Sequence, residues 1–404
     1  MTSNYHLKKL KRAALIFLFM LVVNMVNGQK TNRMLNPRLK QIRVPFEASR
    51  FDTTHQKAEF IMYKGVKAMK ILPGNGQIFL RHLSFTDGTI EFDTQPVDIT
   101  TAAFVSIYFR ADTARENECV YLRFKPDEQE QRNDVVQYAP TVHGVNIWDL
   151  LGHYQAPATI HNQDWNHIKL IIKGVQMRVY VNNMIRPALQ IPYLEGTTLK
   201  GLLGFEGLAY FANLVIKPGV TENLSPDKGV DITDHESNYI RYWQVTSPRF
   251  LEKGRQLLSD DLPGDTTKWQ PIIAKRRGLV NLTRTFGGME NRYGGVQDKT
   301  RFVWLKANIH SDRDQMNKLQ LGFSDEVFVF INGGLLYTDK NQYPEPIRKY
   351  PDGRCDVANT TFSLPLKAGN NEIIIGISNY FYGWGLIARL YEMNNIKIKQ
   401  PTAL

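Results

Sequence analysis

From Val44 onward the chain breaks into short apolar or alternating runs separated by Gly, Asn, Asp and Pro, and apolar residues almost nowhere recur at helical spacing. Successive side chains of a strand point to opposite faces, so a half-buried sheet reads as period-two alternation, whereas a helix needs apolar residues three and four apart. The chain is therefore expected to be all-β, built from many short strands. Predicted strands are Ile78 to Leu80, Thr89 to Asp93, Ala103 to Phe109, Val120 to Phe124, His167 to Ile172, Met177 to Val181 and Ala212 to Ile216, rich in β-branched and aromatic residues. Asn182-Asn183 supplies a turn pair that tolerates positive φ.

Between Lys217 and Asn238 the composition turns polar and rich in breakers, which marks a linker. A second β block follows, with strands expected around Tyr242 to Val245, Leu279 to Leu282, Phe302 to Ala307, Val327 to Ile331 and Glu372 to Ile377, and a short helix within Arg249 to Asp260. The expected fold is two antiparallel β-sandwich (jelly-roll) domains, 45–218 and 239–399, joined by a linker over 219–238 and preceded by an extension over 29–44. With 43% apolar and 22% charged residues, the composition excludes disorder, collagen and coiled coil as the main architecture.

Lys8-Lys9-Leu10-Lys11-Arg12, the apolar run Ala13 to Val23 and the small-residue site Val26-Asn27-Gly28 follow one another in the order of a secretory signal peptide over 1–28. The run is too short to span a bilayer, and no later stretch approaches that length, so a secreted or periplasmic mature chain beginning near Gln29 is expected, an uncleaved anchor being the alternative. Its cleavage would remove four basic residues and no acid, taking the formal charge from +11 to +7. That charge is spread along the chain except at Lys275-Arg276-Arg277, which favours an anionic polysaccharide or cell surface over nucleic acid as the acidic partner. Cys119 and Cys355 are the only cysteines; one long-range bridge or, if they lie in separate domains, two free thiols are the readings.

Phe85 to Phe92, Ile107 to Arg110, Trp165 to Leu170, Val179 to Asn182, Gly201 to Phe205 and Phe211 to Ile216 occur in an order that resembles a concanavalin A-like lectin/glucanase domain, in a laminin G-like or 3-keto-disaccharide hydrolase-like form found in secreted bacterial proteins. The resemblance covers roughly residues 45 to 218. It implies a twisted jelly roll whose concave face meets carbohydrate in many members. Leu319 to Gly333, with its Asn332-Gly333 hairpin signal, and Leu364 to Ile373 resemble the galactose-binding-like jelly rolls found beside glycosidases.

Glu91, Asp93 and Gln95 alternate along one strand and share a face. Laminarinase-type members of the resembled group place three acids in such alternation, but Gln95 cannot deliver a proton, and a retaining glycosidase needs two carboxyls about 5–5.5 Å apart. A solvated strand face is the competing reading. Trp148, Asp149, His153 and Tyr154 fall in a region expected to be a loop, Gly144 to Pro157, where aromatics can stack on a sugar while Asp149 or His153 bonds its hydroxyls; packing of Trp148 beneath the loop is the alternative. Tyr380, Tyr382 and Trp384 belong to the densest aromatic cluster, read as a stacking platform, a protein interface or core. His143, His153, His161 and His167 lack metal-ligand spacing, so no metal or other cofactor is expected; structural calcium suits either sandwich, but no ligand set is assignable.

The leading expectation is a non-catalytic protein that binds a glycan or cell-surface polysaccharide. A glycoside-cleaving hydrolase using Glu91, Asp93 and Asp149 is the alternative, and a protein-binding scaffold the third reading.

Overall fold

Alternation resolves into two pairs of antiparallel sheets. The computed structural model describes residues 41–100, 103–113, 115–126, 132–289, 299–343 and 346–400. Strands between Ile42–Arg43 and Ala209–Pro218 make an eight-stranded and a nine-stranded sheet, and strands between Tyr242–Val245 and Ile396–Lys399 make a second eight-stranded sheet and a four-stranded one. The signal peptide expected over 1–28 and residues 29–40 of the extension lie outside the described residues. Among the described residues no helix is long and apolar enough to cross a membrane.

In the first sheet pair, Gly88–Pro96 lies centrally between Asn166–Lys173 and Ala209–Pro218. Its inward residues Ile90 and Phe92 join Phe109, Leu122, Leu170, Phe205 and Phe211 in a core, while Glu91, Asp93 and Gln95 face away from it. The second sheet pair encloses another core around Trp243, Val303, Leu321, Ile375 and Trp384. Residues 219–241 join the two and are fastened along their course. Glu222 receives Lys169 at 2.9 Å, Leu224 packs on Ile171 and Tyr180, and the Pro226 carbonyl accepts the Val175 amide.

Three local expectations change. Arg249 to Asp260 holds no α-helix: Arg249–Glu252 is a strand paired with Lys299–Ser311, and only Ser259–Asp261 turns as a 3-10 helix. Leu251 and Leu257 pack over Phe302, Trp304 and Phe328, which holds the segment flat on the sheet. The strand expected to reach Leu282 stops at Asn281, whose side chain accepts the Arg284 amide and starts the helix Leu282–Phe286. The hairpin Ala58–Tyr63/Val66–Ile71 was not anticipated; it turns through Lys64 and Gly65 at φ 48° and 79°, the positive φ pair that a two-residue hairpin requires. Cys119 and Cys355 are both free and buried.

Candidate functional site

The outward face of the first eight-stranded sheet carries the most site-like group of side chains. Cross-strand register places Gln95 beside Tyr210, Asp93 beside His167 and Ala212, and Glu91 beside Lys169, and directly paired residues share a face. The unanticipated hairpin adds Tyr63 to this row. Tyr63 and Tyr210 stack with ring centroids 3.8 Å apart and planes 2° from parallel, and Trp165 meets Tyr63 edge-on at 5.7 Å. All three rings are half-buried, so they form an apolar surface still open to solvent. Beside it, Lys64 and residues 161–164 border an open hollow of about 760 Å³.

Hydrogen-bonding groups line the rings. Gln95 Nε2 donates to the Tyr63 hydroxyl at 3.1 Å, and Gln95 Oε1 is buried without a partner. Asp93 is held at both oxygens: Oδ1 lies 2.6 Å from His167 Nδ1, and Oδ2 accepts from Asn213 Nδ2 at 2.6 Å. Asn213 reaches it because the pairing with Gly88–Pro96 shifts between Ala212 and Val215, and such bulges redirect a side chain. The Asp93 hydrogen bond, followed by the charges of Asp93 and Glu91, lifts the His167 pKa above its ordinary value. Glu91 is paired with Lys217 at 2.8 Å. The two carboxylates of Gly88–Pro96 thus each have a basic partner, the third place on that strand is the neutral Gln95, and Glu59, which register puts on the same face, lies 4.0 Å from Lys70. The arrangement can bind and orient hydroxyls, and both carboxylates of Gly88–Pro96 are engaged by neighbouring side chains.

The other candidates fall in three different places. Trp148, Asp149 and Tyr382 come together although two belong to the first sandwich and one to the second. Trp148 lies edge-on to Tyr343 at 4.7 Å and to Tyr382 at 6.1 Å, in a cluster with Tyr108, Tyr121 and Phe381. The region 144–157 is thus a packed connection and not an open binding loop, because Ile147, Leu150 and Leu151 anchor it in the first core. Tyr380 sits half-buried at the edge of this cluster, with Lys253 Nζ 4.7 Å from its ring centre. Trp384 belongs elsewhere: it is fully buried in the second core and donates Nε1 to the Gly287 carbonyl at 2.7 Å, so its ring has no face to offer a ligand. Tyr154 packs in the first core against Tyr138. His153, 4.0 Å from the Tyr154 ring, is held down to about 3 by burial and then by the charges of Arg277 and Arg276, so it stays neutral. No group of three or more His, Cys, Asp or Glu is placed to hold a metal among the described residues.

Asp149 is 1% exposed, and neither carboxyl oxygen has a well-formed hydrogen bond. Burial first, then the charge of Asp325, pushes its pKa well above the usual carboxylate range. Of the two, Asp149 keeps the proton, because Asp325 accepts the amides of Tyr380 and Phe381 at 2.5 and 2.8 Å and the Ser324 hydroxyl. An acid that binds its proton more tightly when folded withdraws stability as pH rises above its unfolded value near 4. Asp149→Asn is therefore expected to raise the urea midpoint at neutral pH and to flatten its decline as pH rises above the ordinary carboxylate range. Parallel pH profiles of the variant and the parent would refute this assignment.

No family model matches the chain, and no curated protein does. Solved structures resemble part of it. The carbohydrate-binding module CBM66 from Bacillus subtilis is 17% identical over 43% of this chain and 99% of its own, with a TM-score of 0.31. A Bacillus subtilis protein of galectin-like fold is 15% identical over 44% of this chain and 94% of its own, at 0.31. The Bacillus licheniformis β-glucanase is 9% identical over 44% and 97%, at 0.30. These likenesses are low, and the chemistry of the face rests on its own residues.

Among those residues, Tyr63 and Tyr210 carry no sequence motif, and Trp165, His167 and Asn213 stand in the sequence only within motifs of the resembled domain. A Lys-Gly pair between two alternating runs was the available signal for the Tyr63 hairpin.

Proposed function

We propose that this protein binds carbohydrate, without cleaving it, on the outward face of its first eight-stranded sheet. The observation that carries the reading is the half-exposed group Tyr63, Tyr210 and Trp165 set against Gln95, Asp93 and His167. Sugar rings present apolar C–H faces and a rim of hydroxyls, and an aromatic surface flanked by fixed donors and acceptors complements both. A rigid sheet holds these groups in place before the ligand arrives, which limits the ordering cost of binding. The pairing of Glu91 and Asp93 and the neutral Gln95 in the third position support binding without cleavage. Export by the leader-like segment 1–28 would bring this face to extracellular glycans, and N-terminal sequencing of the exported chain checks that step.

The test is a glycan array followed by calorimetry on the full chain, with reducing ends assayed in parallel. Tyr210→Ala and Trp165→Ala should each weaken binding by roughly tenfold, about 1.4 kcal/mol, while leaving the melting transition within a few degrees of the parent. Undiminished binding in both variants would remove the site from this face. Release of reducing ends that disappears in Glu91→Gln or Asp93→Asn would replace binding by hydrolysis.

A further inference from the structure

We infer that a second cleft, walled by both sandwiches and the segment that joins them, receives the anionic groups of an acidic saccharide, one bearing carboxylate or sulfate. The saccharide part of this inference rests on the reading above; the anionic part rests on the cleft itself.

The cleft encloses about 460 Å³. Its cations are Lys228, Arg241, Lys275, Arg276 and Arg284, against the acids Glu195, Asp231 and Asp234. How these charges are held matters more than their number. Arg276 donates Nη1 to the Gly229 carbonyl at 2.8 Å and Nη2 to the Val230 carbonyl at 2.6 Å. Arg241 donates Nη2 to the Thr233 carbonyl at 2.6 Å and to its hydroxyl at 3.0 Å. Neutral oxygens thus fix both guanidinium groups in position without neutralising them. Lys228 and Lys275 are exposed at the cleft and free to move toward a ligand.

The acids are fewer. Asp231 accepts the Thr233 amide and hydroxyl, each at 3.0 Å, and the Arg277 amide at 2.9 Å, neutral donors that fix it in the turn that shapes the wall and leave it charged. Glu195 is 9% exposed and is paired with Arg284 Nη2 at 3.2 Å, which removes one cation and one acid together. Lys228, Arg241, Lys275 and Arg276 then face Asp231 and Asp234, so the unbalanced charge left in the cleft is positive. Tyr193 supplies an aromatic wall, with the Arg276 guanidinium 5.6 Å from its ring centre. Fixed guanidinium groups suit two-oxygen anions such as carboxylate and sulfate, and an adjacent ring offers a surface for the sugar that carries them.

The experiment uses the full chain and three probes: a galacturonic acid hexamer, a sulfated galactan oligomer and an uncharged oligosaccharide taken from the array hits. Lys228→Glu/Lys275→Glu alters two exposed side chains outside the packed wall. It should weaken binding of one or both anionic probes at least tenfold and flatten their salt dependence, while binding of the uncharged probe stays as in the parent. The carboxylated and sulfated arms distinguish the two sources of charge. Arg276→Gln, with folding checked by melting temperature, should reproduce the loss. Unchanged affinity of the double variant for both anionic probes would overturn the inference while leaving the carbohydrate reading intact. Loss of that reading would appear differently, as indifference of the uncharged probe to Tyr210→Ala.

Discussion

Trp384→Ala is expected to destabilise the chain by about 3–5 kcal/mol, the range for emptying a fully buried aromatic position. The indole is enclosed among the second core's aliphatic side chains, and its Nε1 donates to the Gly287 carbonyl, so truncation opens a cavity and leaves that carbonyl without its donor. Urea unfolding followed by tryptophan fluorescence and circular dichroism measures the loss. Trp384→Phe restores most of the volume but not the donor and should fall between the two. A variant within 1 kcal/mol of the parent that had nevertheless lost glycan binding would return Trp384 to the role of a ligand-stacking residue.

Asp87→Ala is the second large effect. Arg110 is 1% exposed; its Nη2 lies 2.7 Å from Asp87 Oδ1, and its Nε donates to the Thr86 carbonyl at 2.8 Å. The same Asp87 oxygen accepts the Gly174 amide at 3.1 Å, so one carboxylate ties the start of Gly88–Pro96 to the turn after Asn166–Lys173. Removing it leaves the buried guanidinium short of its nearest countercharge; because Asp87 is itself 35% exposed, the cost is about 2–3 kcal/mol, below that of breaking a fully buried pair. Adding Arg110→Met should recover much of the loss, because the stranded charge is then gone as well. Equal destabilisation in the single and double variants would place the effect at the Gly174 amide. Both sheets of the first sandwich meet at this pair, so its loss is also expected to loosen the binding face.

Much of the fold was legible because a sheet prints its own geometry into the sequence. Predicted Ile78 to Leu80 and Tyr242 to Val245 match strands of the same bounds, and Asn332-Gly333 turns its hairpin at φ 50° and 83°. Alternation also put Glu91, Asp93 and Gln95 on one face correctly. What those acids can do was not legible, since their partners lie far along the chain: His167 is 74 residues from Asp93, Asn213 is 120, and Lys217 is 126 residues from Glu91. A strand pattern says which face a side chain takes, but not which strand is laid beside it.

The aromatic residues show the same division. The sequence could place Trp148 in one segment and note that Tyr382 and Trp384 cluster in another, but burial depends on what is packed above them. The two sandwiches close over Trp148, a single core encloses Trp384, and the segment 219–241 covers the Lys169 and Tyr180 end of the first sheet while Tyr63, Tyr210 and Trp165 stay open. By itself the sequence determined the all-β class, a central set of strands in each sandwich, the Asn332-Gly333 turn and the sidedness of those strands, because these are properties of local backbone and side-chain periodicity. Only the tertiary structure decided which aromatic rings remain at the surface, which carboxylates are already paired and where the basic residues converge, because each depends on contacts between segments that no local pattern encodes.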